Sequence, residues 1–182
     1  MERGGHYGTS LLLSAGCLLW LDFLQAVVAV TVIFAVERLP DQDHYIPEWA
    51  VKHRGPTHSL TFAVVVAFVL ASTIAYPVHL IQSFVATHGP LSAPVVPSVE
   101  VWALIGGAAL LSLVGHIATD ALTVGGGYKV EPLWPFDSRT VAAGLCRADD
   151  VRWNVGLLAA GATAFAAAVL HELYYSVVVV LV

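Results

Sequence analysis

Seven consecutive residues, His53-Arg54-Gly55-Pro56-Thr57-His58-Ser59, carry two imidazoles, a guanidinium and two hydroxyls. Gly55 and Pro56 sit poorly inside a helix and force a turn. Pro56 also moves Gly55 out of the helical region, which makes Thr57 the expected N-cap of the apolar run that follows. A helix starting there aims backbone N–H groups and a partial positive charge at whatever the histidines hold, which suits phosphate or another anion. Taken alone, such a loop also reads as a plain polar surface at a membrane.

Three further groups have the same chemical character. In His116-Ile117-Ala118-Thr119-Asp120 the two ionisable residues are four apart, so on a helix they share a face and can address one ion. Imidazole with carboxylate suits zinc, manganese or iron. The alternative is a hydrogen-bonded His–Asp pair between helices. In Leu39-Pro40-Asp41-Gln42-Asp43-His44 two carboxylates sit two apart in a turn. They serve as hard ligands, as a ligand beside a general base, or simply as caps of a solvated loop. His6, inside Gly5-His6-Tyr7-Gly8, carries no weight by itself.

The elements that must position these groups are apolar. The chain has 182 residues, 58% hydrophobic and 12% charged, with a mean hydropathy of +0.78. Soluble domains carry about a quarter charged residues, so the composition is that of a membrane protein. Apolar runs recur without a linker, giving a single domain over residues 1–182. The net charge of −5 and the lack of a basic block argue against direct nucleic-acid binding. Two cysteines, Cys17 in an apolar run and Cys146 in a polar loop, do not make a disulfide framework. Ser14-Ala15-Gly16-Cys17 resembles a lipoprotein signal, but a long apolar stretch follows the cysteine, so the N-terminus is expected to be retained.

The first apolar block, Leu11 to Val36, is interrupted by Asp22 and Gln25. Length favours one tilted helix. Asp22 favours a hairpin turning near Trp20-Leu21-Asp22-Phe23, because a carboxylate is costly in mid-membrane and tolerable at a turn. Further spans are expected over 58–86, kinked or shortened around Pro77, over 99–124, ended by Gly125-Gly126-Gly127, and over 152–182. The short loop Thr87 to Ser98 lacks Lys and Arg. The expected fold is all-α: an integral membrane helical bundle with a short N-terminal hairpin and three spanning helices, or alternatively four spanning helices. With a hairpin, all eight Lys and Arg residues fall on one side, which the positive-inside rule makes cytoplasmic. Asp41, Asp43, His53, His58, His116 and Asp120 converge on that side under either topology, and His6 joins them with the hairpin. So many ligand-type side chains at one level argue for a metal centre.

The strings around Asp41–His44, His53–Ser59 and Gly115–Asp120, followed by Leu122-Thr123 and Leu133-Trp134-Pro135-Phe136, resemble the membrane-bound metal-dependent hydrolase family. Its bacterial member is described as a LexA-binding, inner-membrane-associated hydrolase. The matching motifs run from residue 5 to about 136, Gly5-His6 included. The resemblance implies an integral membrane protein with a hydrolytic metal site, and its LexA-binding description allows a regulatory protein partner. More distantly, the order of His and Asp residues is similar to the all-helical zinc phospholipases C and single-strand-specific zinc nucleases. That likeness implies one ion on Asp41, His58, His116 and Asp120, and a second on His6 with Asp120 bridging. No ligand set for a third ion is evident in the order that this likeness requires.

The expected activity is hydrolysis of a phosphoester by one or two divalent ions, zinc first and manganese or iron as alternatives. Asp43 is the expected general base or a further ligand, and His53 a ligand or general acid. Arg54, with the N–H groups of Thr57 and His58, is expected to hold the phosphate. A site at headgroup depth makes a membrane lipid or lipid-linked phosphate the natural substrate. Two other classes stay open: a transporter using His and Asp as an ion relay, and a scaffold that binds a partner without metal. Peptidase activity is disfavoured, since no HExxH appears.

Overall fold

The computed structural model describes residues 1–47, 49, 51–88, 98–124 and 129–181. Glu48, Gly125-Gly126-Gly127 and nearly all of the loop after His88 lie outside the described residues. Five α-helices run α1 (Arg3–Trp20), α2 (Phe23–Val36), α3 (Leu60–His88), α4 (Ser98–Ala121) and α5 (Val151–Leu181). Short 3-10 turns cover Pro40–Tyr45 and Pro56–His58. Four stretches, Phe23–Tyr45, Leu60–His88, Ser98–Ala121 and Val151–Val178, are long and apolar enough to cross a membrane. The protein is an all-α membrane bundle with three or four spans.

The first apolar block is a hairpin. Leu21 ends α1 in an extended conformation, and Asp22 precedes α2, where its carbonyl accepts the Ala26 N–H at 2.8 Å. Trp20 and Phe23 flank the turn and are exposed, a place where amphipathic rings suit a membrane interface. The turn returns the chain to the level of Arg3. Every Lys and Arg therefore lies at the end of the bundle where α1, α3 and α5 begin and α2 and α4 finish.

Inside a bilayer, helices associate through close packing rather than through release of water, so small residues mark the seams. Ala63, Ala67, Ala71 and Ala75 repeat every fourth residue on the buried face of α3. Gly106 of α4 lies against them, since a Cβ there would meet the Ala71 Cβ at 3.3 Å. The core continues through Ala29, Val32 and Ile33 of α2 and Ile105, Ala109 and Leu113 of α4. The Ser112 hydroxyl donates to the Ile33 carbonyl at 2.9 Å inside this seam. Phe68, Val64 and Val69 point outward, as a lipid-facing surface requires.

The closest backbone approach joins α1 to α5. A Cβ on Gly161 would fall 2.2 Å from the Gly8 carbonyl oxygen, and one on Gly8 would fall 2.3 Å from the Leu157 carbonyl carbon. Only hydrogen fits at either position. Asn154 closes the same seam: its Oδ1 accepts the Gly5 N–H at 3.2 Å, and its Nδ2 donates to the Ala148 and Asp150 carbonyls, each at 2.9 Å.

Of the kink or shortening expected at Pro77, the shortening does not occur: the helix continues through Pro77 to His88, because membrane helices tolerate the lost hydrogen bond where neighbouring groups compensate. Its cap is Ser59 rather than Thr57. The Ser59 hydroxyl accepts the Phe62 N–H at 3.1 Å and donates to the Pro56 carbonyl at 2.7 Å, while Thr57 stays inside the preceding 3-10 turn.

The loop between α4 and α5 folds back onto the turn before α3. Thr123–Val124 pairs in parallel with Cys146–Arg147, and Val130 bridges Val141. The Pro132 carbonyl accepts the Leu60 N–H at 2.8 Å, the Arg54 carbonyl accepts the Glu131 N–H at 3.3 Å, and Lys52 pairs with Glu131. Arg54 is held with φ at +59°, in the left-handed region that non-glycine residues rarely adopt.

Candidate metal centre

Four of the five residues expected to ligate metal meet at the charged end of the bundle. Asp41, His58, His116 and Asp120 each offer one donor atom, and these atoms all lie within 4.8 Å of one another. His58 comes from the turn before α3, His116 and Asp120 from the last turns of α4, and Asp41 from the turn after α2. The His58 Nε2 stands 3.2 Å from Asp120 Oδ2 and 3.6 Å from Asp41 Oδ1. The His116 Nε2 stands 3.4 Å from Asp41 Oδ1 and 3.8 Å from Asp120 Oδ2. Both Nε2 atoms are buried and neither is aligned to make a hydrogen bond.

That pattern fits a shared cation. Four donors about 2.0–2.2 Å from one ion in a tetrahedral array lie roughly 3.4 Å apart, within the observed spread. Leaving two ring nitrogens in a dry interior without partners would otherwise cost about 1–3 kcal/mol each. His58, His116 and Asp120 are at most 1% exposed at the side chain, whereas Asp41 is 33% exposed. Access to the centre is from the Asp41 side.

His6 lies alongside. Its ring stacks on His116 with centroids 3.9 Å apart, and its Nε2 is 3.3 Å from Asp120 Oδ1 and 3.1 Å from the Met1 carbonyl oxygen. The same Oδ1 accepts the Arg54 Nη2 at 3.0 Å and pairs with the Met1 amino group. His6 and Asp120, the pair expected to hold a second ion, thus meet at an oxygen that Arg54 also occupies. Thr9 and Thr119 hydrogen bond at 2.9 Å and fix α1 to α4 at this level.

The residues expected to act on substrate sit differently from that expectation. Arg54 is 7% exposed; besides Asp120 it donates from Nη1 to the Thr123 hydroxyl at 3.1 Å. These contacts make Arg54 a brace on Asp120, while it also lines the cavity beside Asp41. The His58 N–H is spent on the Gly55 carbonyl at 3.1 Å, so it offers nothing to an anion. Asp43 is 2% exposed. Its Oδ2 accepts the Arg54 N–H at 3.1 Å and the Thr57 hydroxyl at 2.7 Å and faces His58 Nδ1 at 3.4 Å. A carboxylate on the far nitrogen of a ligating histidine fixes the ring's orientation. His53 contacts Asp43 Oδ1 through Nδ1 at 2.8 Å. Burial opposes a charge on His58, yet the carboxylates of Asp120, Asp41 and Asp43 outweigh it and push its pKa up to about 10.

A cavity of about 660 Å³ opens beside Asp41, lined also by Arg3, Arg38, His44, His53 and Glu37. Sequence reasoning missed Arg3, Arg38 and Glu37. Arg38 stacks over the Tyr7 ring at 5.3 Å and donates to its hydroxyl. Glu37 is 4% exposed, and its Oε2 has no hydrogen-bond partner, with the Arg38 Nε at 3.8 Å. The place of Glu37 directly after an apolar helix was the available signal.

The YdjM inner membrane protein family matches the chain over residues 1–182, and the chain belongs to that family. No curated protein and no solved structure matches it.

Proposed function

We propose that this YdjM-family membrane protein is a metal-dependent hydrolase acting on a phosphoester at the membrane surface. One observation carries the reading: the buried Nε2 atoms of His58 and His116 lack hydrogen-bond partners and face the carboxylates of Asp41 and Asp120. His58, His116, Asp41 and Asp120 would hold a divalent ion, zinc first by donor chemistry. When bound, such an ion supplies a Lewis acid and acidifies a coordinated water.

The remaining roles belong to the chain itself. Asp43 orients His58 through Nδ1, and Arg54 fixes Asp120, so neither carboxylate is left to swing. Arg3 and Arg38 line the cavity next to Asp41 and take over the anion-holding role expected of Arg54. Guanidinium groups suit phosphate by geometry and charge. The clustering of every Lys and Arg at this end supports a cytoplasmic site, and its depth at the end of apolar helices supports a lipid or lipid-linked phosphate.

The test uses untagged protein in lipid nanodiscs. Elemental analysis should find tightly held metal that is lost in His116→Ala and in Asp41→Asn. Hydrolysis of lipid-phosphate and phosphodiester substrates should be abolished by chelator and restored by metal. Metal-free protein that fails to load, or metal content unchanged in both variants, would sink the assignment.

A further inference from the structure

We propose that Asp43, His44 and His53 form a second divalent-cation site, at the mouth of the cavity and next to the first. The inference deepens the metal-centre reading above and rests on it. The three residues each offer one ligand atom, and these atoms lie within 4.8 Å of one another. The His44 and His53 rings meet with centroids 3.9 Å apart, and both line the cavity that Asp41 faces.

Division of labour within Asp43 makes the arrangement coherent. Its Oδ2 is taken by the Arg54 N–H and the Thr57 hydroxyl and faces His58, a residue of the inner centre. Its Oδ1 faces His53 Nδ1 at 2.8 Å. That 2.8 Å contact is a hydrogen bond in the metal-free chain, and a shared cation would replace its proton while the two donors open toward tetrahedral spacing. His53 lies between the centres, its ring 5.6 Å from that of His58. Paired ions about 3.5–4 Å apart are a recurrent device for clamping both oxygens of a phosphoryl displacement. His44 is exposed, whereas His58, His116 and Asp120 are dry and only Asp41 of the inner set reaches solvent, so the outer ion exchanges faster and is the first removed by chelator. The outer cluster takes the place of the second ion expected at His6 and Asp120.

Metal-stripped, untagged protein in nanodiscs is dialysed against zinc alone, and bound zinc per chain is measured. Wild type should hold two equivalents. His44→Ala and His53→Ala should each hold one, and His88→Ala, an exposed histidine on the last turn of α3, should hold two. His44 is exposed, so its variant folds. One equivalent in wild type, or two in His44→Ala, overturns the proposal. Zinc that falls in Asp41→Asn but not in His44→Ala overturns this site while leaving the inner centre standing. Zinc unchanged in Asp41→Asn and His116→Ala defeats the inner centre instead.

Discussion

The tight seam between α1 and α5 makes one substitution diagnostic. In Gly161→Ala the new Cβ would sit 2.2 Å from the Gly8 carbonyl oxygen and 2.9 Å from its carbonyl carbon. That is about 1.3 Å short of ordinary contact, and the obstacle is helix backbone, which cannot rotate aside. Overpacking of this kind costs about 3 kcal/mol, the upper end of the usual range. Alanine recovers about 0.5–1 kcal/mol as the better helix former, leaving a net loss of about 2 kcal/mol. For a chain of this size that lowers the melting temperature by roughly 4–8 °C. Gly156, on the same helix, has nothing within 4 Å of its would-be Cβ. There the same replacement should raise the melting temperature by roughly 1–4 °C. Thermal unfolding in micelles, read by thiol-reactive dye at buried Cys146, compares the pair directly. His6, two residues from Gly8, stacks on His116, so Gly161→Ala should also weaken metal binding by disturbing that ring. A Gly161→Ala protein melting at or above Gly156→Ala would refute the close approach of the two helices.

Arg54→Ala removes one of several buried partners of Asp120 and, since the carboxylate keeps the others, should destabilise metal-free protein by about 1–3 kcal/mol; a smaller loss in Arg54→Ala/Asp120→Asn than in Arg54→Ala would tie the cost to that carboxylate. Ser59→Ala should cost about 1 kcal/mol through the lost cap of α3 without changing metal affinity, whereas Thr57→Val should weaken metal binding about 10–100-fold through Asp43, both read by zinc titration and melting. His58, raised from 6.5 to about 10 without metal, stabilises the metal-free fold fully below pH 6.5, and that contribution disappears as pH rises through about 10. Metal must displace the same proton, so zinc affinity should climb with pH and loading should release protons in calorimetry.

The carboxylate at Asp22 pointed to the hairpin against the length of the apolar run, because burying it in mid-span would cost more than a turn does. The clustering of Asp41, His58, His116 and Asp120 was legible for a similar reason: an ionisable side chain at the end of an apolar helix carries a desolvation cost that it must offset through a partner. What spacing could not disclose was which polar group serves which. Asp43 and Arg54 carry the chemistry of a base or ligand and of an anion clamp, and only tertiary contacts reveal that Asp43 Oδ2 also faces His58 and that Arg54 also braces Asp120. Thr57 and Ser59 are equally good capping residues, and only the 3-10 turn over Pro56–His58 decides between them. Pro77 looked like an interruption because the rule for soluble helices was applied to a helix in lipid. The seam of Gly8 with Gly161 joins residues far apart in the chain, and no local pattern announces it.

Leu133-Trp134-Pro135-Phe136 supplies no ligand, yet the hairpin-like excursion around it grips the backbone on both sides of the histidine turn. Arg54 is clasped through its carbonyl and Leu60 through its N–H, with only Gly55 to Ser59 between those two points. The exposed far edge of this excursion, near Arg139, is therefore an indirect handle on the cluster of His58, His116, Asp41 and Asp120. A single protease cut there would free His58 from its anchor without touching any residue that faces the cavity.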